Sequence, residues 1–298
     1  MLRPIAITLG DPRGIGPEIV AKALGTPSVA ALGPFVLVGP VGTGVAVDHD
    51  VGEWHPGASA AHAGRLAGAA VQRAVQLAMA GDVRGIVTAP IDKAALLAGG
   101  FDFPGHTEML AALTGSRVAM MLASDRLRVV LATTHIALRD VPAAVTREAL
   151  LQAAYVARDG LRRSFGIARP RIALCALNPH AGDGGRFGNE DDEVLRPVAQ
   201  EAGISGPFPA DTVFVRAMRG EFDAVIAPYH DVGMTAIKVA SFGHAVNVTL
   251  GLPFPRTSPD HGTALDIAGT GVADAGSMIE AIRVCAEIAA RLADAPSV

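Results

Sequence analysis

The sequence predicts an α/β fold with a mixed, mostly parallel sheet. Short apolar segments rich in β-branched residues alternate along the 298 residues with longer alanine-rich segments typical of helices. Short segments such as 36–38 and 172–174 are continuously apolar, as expected of strands that helices cover on both faces. The length permits one large domain or two medium-sized ones.

The predicted strands are short apolar runs that end at glycine, proline or polar residues. The runs 118–122 and 127–131 are joined only by the polar residues 123–126, which predicts a hairpin and makes the sheet mixed. The predicted strands are 4–9, 34–39, 83–89, 117–123, 127–133, 170–177, 223–227 and 245–250.

The predicted helices are the longer alanine-rich segments between these strands. Pro17 and Glu18 suit the first turn of the first helix. Residues 41–60, which include Trp54, show neither pattern and predict an irregular, variable surface loop. The predicted helices are 16–25, 60–80, 106–114, 142–165, 188–203, 211–219 and 276–293.

Composition limits the partners and the compartment. Only 18% of the residues are charged and the net charge is −4, which argues against nucleic acid or an anionic membrane as a partner. The apolar runs are broken before the ~18 residues that a membrane span needs. Cys175 and Cys285 lie in separate apolar segments, and residues 4–9 form a strand rather than a signal peptide. We therefore expect a cytoplasmic protein.

Three histidines follow the ends of predicted strands. They are His135, His180 and His230. Because the carboxyl ends of strands in an open α/β sheet meet at one edge, the three imidazoles can converge there. Three protein ligands with an open position describe a catalytic metal site. The alternative is three unrelated loop histidines.

Two further regions contain candidate ligands for an anion. Gly105 precedes His106 and Thr107 at a predicted helix start, which suits a phosphate or carboxylate; alternatively, Thr107 only caps the helix. Lys238 and Arg256, with Asn247 between them in sequence, could neutralise a phosphate and a carboxylate, or could form ordinary surface salt bridges.

The segment 10–18 follows a strand and opens a helix, but it is not a dinucleotide-binding glycine loop. The third glycine of that motif would fall at Ile19, and no acidic residue ends the next strand. We interpret the segment as structural, or as a wall of an active-site cleft.

An ordered set of motifs identifies a family resemblance. The motifs are Gly10–Glu18, Thr88–Pro90, Gly105–Glu108, Thr133–His135, Asn178–Gly182, Pro209–Thr212, Tyr229–Asp231, Asn247–Pro253 and Asp260–Ala264. In this order they resemble the 4-hydroxythreonine-4-phosphate dehydrogenase family of vitamin B6 biosynthesis over nearly the whole chain. A sister group, similar in nearly every motif, oxidises 4-phospho-D-threonate or 4-phospho-D-erythronate. The chain departs from the family pattern at Val232, where Gln is usual.

The resemblance implies two α/β/α domains of the isocitrate and isopropylmalate dehydrogenase type, with a cleft between them. Residues 1–108 and 250–298 would form the first domain, with the cofactor loop. Residues 109–249 would form the second, with the metal ligands and dimer contacts.

The resemblance also assigns the site residues. His135, His180 and His230 would bind a divalent metal, such as Zn, Co, Ni, Mg or Mn, with ligands from both subunits of a homodimer. Asp211 and Asp231 would lie near the reacting hydroxyl. The substrate contacts would be His106, Thr107, Lys238, Asn247 and Arg256.

The implied reaction is oxidation of the C3 hydroxyl of 4-phosphohydroxy-L-threonine, followed by decarboxylation to 3-amino-2-oxopropyl phosphate. The metal would make the hydroxyl more acidic. Lys238 would be the base if burial and the metal keep it unprotonated; otherwise Asp211 or Asp231 would act as the base or orient the metal ligands.

The segment 261–269 resembles the adenosine-binding loop of β-decarboxylating dehydrogenases. The implied cofactor contacts are His261, Gly262, Thr263, Ala264 and Asp266. The carboxylate of Asp266 would accept hydrogen bonds from ribose and repel a 2′-phosphate, which favours NAD over NADP; alternatively, Asp266 only caps a turn.

Two functions other than that of a dehydrogenase remain as alternatives. Phosphate acyltransferases share a related architecture but need no histidine triad. An inactive ligand-binding module is the other, and the intact set of three histidines, Lys238 and both aspartates argues against it.

Overall fold

The computed structural model describes residues 2–241 and 245–294. It divides into two compact units: unit 1 comprises Met1–Ser116, Val246–Val248 and Leu252–Val298, and unit 2 comprises Arg117–Ala245 and Thr249–Gly251. Parts of the predicted domain ranges (Met1, 242–244 and 295–298) lie outside the described residues.

The elements follow one another in alternating order. The strands are β1 (Ile5–Thr8), β2 (Phe35–Val41), β3 (His49–Glu53), β4 (Ile86–Thr88), β5 (Ala119–Ala123), β6 (Arg128–Leu131), β7 (Ile172–Cys175), β8 (Ser205–Phe208), β9 (Ala224–Ala227), β10 (Val246–Leu250) and β11 (Arg256–Pro259). The helices are α1 (Gly16–Leu24), α2 (Pro27–Ala30), α3 (Ala60–Ala80), α4 (Lys93–Ala98), α5 (His106–Thr114), α6 (Val141–Ala144), α7 (Arg147–Arg163), α8 (Arg196–Ala202), α9 (Ala210–Met218), α10 (His230–Ser241) and α11 (Gly276–Asp294).

Unit 1 is built on strands in the order β3-β2-β1-β4-β11-β10. All the pairs are parallel except β10 with β11. Every residue of β1 is buried, and since successive side chains face opposite sides, both faces of the sheet are covered. Helix α3 packs on β1 and β2, and helix α11 packs on β4 and β11.

Unit 2 is built on strands in the order β5-β6-β9-β7-β8. The predicted hairpin is confirmed: β5 and β6 are antiparallel, and the N–H of Ser124 donates to the carbonyl of Leu127 at 2.9 Å. The other three pairs are parallel. The α/β class with mixed, mostly parallel strands is therefore as predicted.

Two boundaries differ from the sequence analysis. The predicted domain border after residue 108 falls inside α5, and residues 109–116 lie in unit 1 because this helix packs on α3. The predicted surface loop at 41–60 contains the edge strand β3, and Trp54 is only 9% exposed because it packs on Ala63 and Leu66. Polar residues along β3 conceal the strand in the sequence.

None of the helices in the described ranges combines the length and the apolar character that crossing a membrane requires.

Candidate active site

The start of helix α5 forms one side of the predicted anion site. Gly105 is the N-cap residue and His106 is the first helical residue, so the alternative of Thr107 as the cap does not hold. The first backbone N–H groups of a nine-residue helix have no partner within the helix, and they favour an anion. Atom Nε2 of His106 is buried without a hydrogen-bond partner among the described residues.

Positive charge gathers around His106. Burial lowers the pKa of His106 well below its usual range, and the charges of Arg256 and Lys93 lower it further. The imidazole is therefore neutral at physiological pH. Lys93 begins helix α4 and was missed in the sequence, because a single exposed lysine in an alanine-rich segment carries no signal.

Arg256 is the most deeply buried cation of this region. It begins strand β11 and is 1% exposed, so the alternative of a surface salt bridge does not hold. Its guanidinium donates a hydrogen bond to the hydroxyl of Thr88. Burial lowers the pKa of Arg256 to about 9, which leaves it protonated at neutral pH.

Asn247 lies on the same face of the unit 1 sheet as Arg256. It pairs with Ser258 across β10 and β11, and Ser258 and Arg256 are two residues apart on one strand, so all three side chains point the same way. Atom Oδ1 of Asn247 is buried without a hydrogen-bond partner in the described ranges. One face of the unit 1 sheet thus presents the positive charge of Arg256 and the amide oxygen of Asn247, which has no partner among the described residues.

A cavity of about 750 Å³ lies beside the predicted cofactor loop in unit 1. The loop contributes Ala268 and Gly269 to the cavity wall, and Gly271 follows just after it. The predicted contacts His261, Gly262, Thr263, Ala264 and Asp266 are not among the wall residues, and Ala264 has a φ of 41°. Asp266 is exposed. Five wall residues come from the segment 10–18, which the sequence indicated as structural or as a cleft wall: Pro12, Arg13, Gly14, Pro17 and Glu18. The remaining wall residues, which the sequence did not indicate, are Ala21, Thr43, Gly44, Val45, Trp54 and Pro56.

In unit 2, two of the three predicted metal ligands adjoin. The rings of His135 and His230 lie 5.5 Å apart between centroids, because they follow the neighbouring strands β6 and β9. Atom Nδ1 of His230 lies 2.7 Å from a carboxylate oxygen of Asp231.

His180 is not grouped with this pair within the single chain. Among the described residues, no three His, Cys, Asp or Glu side chains are grouped closely enough to hold a metal ion. His180 follows β7 by five residues and sits in a turn with left-handed backbone, with φ of 54° at His180 and 56° at Ala181. Its ring lies 6.4 Å from that of Phe187.

The turn that carries His180 is held by acidic residues behind it. The carboxylate of Asp191, which is fully buried, accepts the backbone N–H groups of Leu177 and Asn178, each at 2.9 Å. The amide of Asn178 donates to Glu190 at 2.8 Å. These contacts fix the chain just before His180.

A second cavity, of about 320 Å³, lies beside this turn in unit 2. The predicted residues His180 and Asp211 both line it, together with Tyr229 and Val232. Asp231 and Lys238 lie on helix α10, seven residues or about two turns apart. Lys238 is exposed, so burial within this chain does not supply the desolvation expected of a lysine base.

Comparison with known proteins places these features in context. Residues 35–285 match the family described as "Pyridoxal phosphate biosynthetic protein PdxA". A "Putative D-threonate 4-phosphate dehydrogenase" of Bradyrhizobium diazoefficiens is 44% identical, over 97% of each chain. A 4-hydroxythreonine-4-phosphate dehydrogenase of Caulobacter vibrioides is 42% identical, over 97% of this chain and 98% of its own.

Solved structures agree with these sequence matches. The crystal structure of 4-hydroxythreonine-4-phosphate dehydrogenase from Klebsiella pneumoniae has a TM-score of 0.85 and 38% identity, over 96% of this chain and 99% of its own. Isocitrate dehydrogenase from Methylococcus capsulatus, at 18% identity and a TM-score of 0.52 over 93% of this chain and 83% of its own, shares the fold alone.

Proposed function

The chain belongs to the PdxA family of pyridoxal phosphate biosynthetic proteins, and on that basis we propose that it is an NAD-dependent and metal-dependent dehydrogenase. Its substrate is 4-phosphohydroxy-L-threonine, which is oxidised at the C3 hydroxyl. The resulting β-keto acid loses CO₂ to give 3-amino-2-oxopropyl phosphate. The observation that carries the proposal is the buried cation Arg256 beside His106 at the start of α5.

The substrate phosphate lies at this site in unit 1. The first N–H groups of α5, with His106 and Thr107, donate to the phosphate oxygens. Arg256 provides a buried positive charge whose guanidinium matches the geometry of a phosphate. Asn247 and Lys238 contact the remaining polar groups of the substrate.

The histidines of unit 2 fit two ligands of a metal site. The rings of His135 and His230 are close enough for both imidazoles to reach one ion, and Asp231 at Nδ1 leaves Nε2 of His230 as the ligand atom. His180 completes the set from the other subunit of a homodimer. The ion, which is Zn, Co, Ni, Mg or Mn, supplies Lewis acidity that makes the substrate hydroxyl more acidic.

A base of the chain would take the hydroxyl proton, and NAD, when bound, would supply the hydride acceptor. Asp211 shares a cavity with His180, which supports it as the base, whereas Asp231 contacts His230 and would orient that ligand. Lys238 is the other candidate base. Its exposure in the single chain means that a second subunit or the substrate has to cover it.

NAD would occupy the cavity of about 750 Å³ in unit 1, and His261, Gly262, Thr263 and Ala264 belong to the loop that contributes Ala268 and Gly269 to its wall. Glu18 of helix α1 lines the cavity, and one of its carboxylate oxygens is buried without a partner among the described residues. Asp266, in the predicted cofactor loop 261–269, is an exposed carboxylate. The carboxylate of Asp266 disfavours the extra phosphate of NADP. The buried free thiols Cys175 and Cys285 suit the cytoplasm.

One relative favours a second substrate. The Bradyrhizobium protein, at 44% identity, is named for D-threonate 4-phosphate, which carries a hydroxyl at C2 where phosphohydroxythreonine carries an amine. We therefore propose 4-phospho-D-threonate or 4-phospho-D-erythronate as the alternative substrate.

Parallel assays decide between the two substrates. The purified protein is incubated with NAD and a divalent metal, and NADH absorbance is followed with 4-phosphohydroxy-L-threonine and with 4-phospho-D-threonate. We expect turnover of the first; turnover of the second alone would move the enzyme to sugar-acid catabolism. The control is His180→Ala, which we expect to lose both metal and activity.

The two alternative functions outside the dehydrogenases predict different results in the same assay. Acyl-phosphate chemistry without NADH formation would favour a phosphate acyltransferase-like enzyme. Ligand binding without any turnover would favour an inactive binding module. Either result would refute the dehydrogenase proposal.

A further inference from the structure

The start and the end of helix α1 are both bonded to the segment 263–273, which contains most of the predicted cofactor loop and the residues just after it. At one end, the N–H of Ile15 donates to the carbonyl of Thr263 at 2.9 Å. The approach there is so close that a Cβ on Gly14 would lie 2.7 Å from the same carbonyl oxygen. At the other end, Nζ of Lys22 donates to the carbonyls of Gly271 and Ala273, each at 2.7 Å.

Glu18 completes this second attachment. One of its carboxylate oxygens accepts both Nζ of Lys22, at 2.8 Å, and the N–H of Ala273, at 3.0 Å. The hydrogen bond from Lys22 lowers the pKa of Glu18 despite burial, and the bond from Ala273 lowers it further, so the carboxylate stays ionised. All three donors of the Lys22 ammonium group are thereby used.

The pair differs from an ordinary salt bridge along a helix. Glu18 and Lys22 are four residues apart, a spacing that by itself stabilises only the helix. Here both groups also bind backbone about 250 residues later in the sequence. The contact therefore closes the loop onto the helix.

The attachment joins residues that line the cavity from two sides. Pro17, Glu18 and Ala21 line its helix side, and Gly269 and Gly271 line its loop side. Gly271 has a φ of 79° and glycine carries no side chain to fix it, so the loop backbone depends on external contacts for its position. Lys22 joins the two sides through its hydrogen bonds to Glu18 and to the carbonyls of Gly271 and Ala273.

We propose that Lys22 is a positioning residue for the dinucleotide, which holds Gly271 and Ala273 where the cavity accepts NAD. The inference rests on the proposed function of this cavity as the cofactor site. Lys22 does not touch the reacting atoms. Its loss therefore weakens cofactor binding and leaves the chemical step intact once the cofactor is bound.

The test uses Trp54, which is the only tryptophan of the chain and lines the same cavity. NAD is titrated into the full-length protein while Trp54 fluorescence is followed, for the parent and for Lys22→Met. We expect the Kd of NAD to rise about tenfold and its KM to rise equally. We expect kcat at saturating NAD to stay within about twofold.

Matched variants separate this effect from a general loss of charge. Arg163→Met removes a similar exposed pair, with Asp159 four residues away on α7, and should leave the Kd unchanged. Lys22→Arg keeps the charge and the donors and should restore binding to within about threefold. Glu18→Gln keeps the shape and weakens the attachment, so an intermediate Kd is expected.

The possible failures are distinguishable. If the parent protein binds neither NAD nor NADP, the proposed cofactor site is wrong. If the parent binds NAD and Lys22→Met binds it within about twofold of the parent, the role of Lys22 is refuted. If Lys22→Met does not fold, Lys22→Gln decides, and a Kd within about twofold of the parent for that variant refutes the role equally.

Discussion

The anion site of unit 1 and the histidine site of unit 2 are organised in opposite ways. Arg256 is buried, already bonded to Thr88, and faces the same side of the sheet as Asn247. In unit 2, His135 and His230 adjoin, but His180 sits apart in its own turn. A phosphate would meet groups fixed by the fold of a single unit, whereas a metal ion would need a ligand from beyond the histidine pair.

The largest effect is expected at the fixed site. Arg256→Met removes a buried charge without adding volume, and we expect kcat/KM for the phosphorylated substrate to fall on the order of a thousandfold. Inorganic phosphate binding, measured by calorimetry, should weaken in parallel. Arg84→Met, at a partly buried arginine of unit 1, is the control. Equal losses in both variants would mean that the effect is structural.

The histidine site can be tested by mixing two inactive variants. His180→Ala and His230→Ala should each lose at least about a hundredfold in activity and in metal affinity. If each site takes ligands from two subunits, one of the two sites in every hybrid dimer is intact. Random pairing should then restore about a quarter of the parent activity. Mixtures that stay inactive although hybrids form would place all ligands in one chain.

A smaller effect is expected behind the histidine turn. Asp191→Asn replaces one of the two carboxylate oxygens that accept the N–H groups of Leu177 and Asn178. We expect the free energy of unfolding to fall by about 1–3 kcal/mol and the metal affinity to fall about tenfold. Denaturant titration and metal titration measure the two. Asp192→Asn, at an exposed pair with Arg196, should change neither. A stability loss without any change in metal affinity would leave Asp191 with a structural role only.

The smallest effect concerns pH. Because the folded protein lowers the pKa of His106, the unfolded chain binds more protons below about pH 6.5. The contribution of His106 to stability is complete above that pH and is lost on acidification, at up to about 1.4 kcal/mol per pH unit. His106→Asn should flatten the decrease between pH 7 and 5.5, and the exposed His55→Asn should not. Parallel curves for His106→Asn and the parent would contradict a buried neutral imidazole.

The sequence predicted the regular elements better than the site geometry. Helix α3 and the hairpin of β5 and β6 follow from local patterns, which are strong in long helices and short polar turns. The edge strand β3 was missed because an edge tolerates polar residues such as Asp50. The expectation that the carboxyl ends of strands meet at one edge correctly predicts that His135 and His230 are neighbours. It does not predict the left-handed turn at His180.

The positively charged residues show the same limit of prediction from the sequence. The burial of Arg256 agrees with its apolar, proline-rich surroundings in the sequence, whereas Lys93 approaches His106 only through the packing of the fold. The attachment of Lys22 to Gly271 joins segments about 250 residues apart, and no local pattern encodes it.

The division of the chain between the units has a consequence for protein synthesis. Unit 2 lies within residues 117–251, so its five strands have all left the ribosome while the last part of unit 1 is still being made. Unit 1 waits for β11 and α11, because β4 pairs with β11 and both strands pack on α11. Since domains fold as they emerge, unit 2 should fold first, and the nascent first 116 residues should stay incomplete until β11 and α11 have been made.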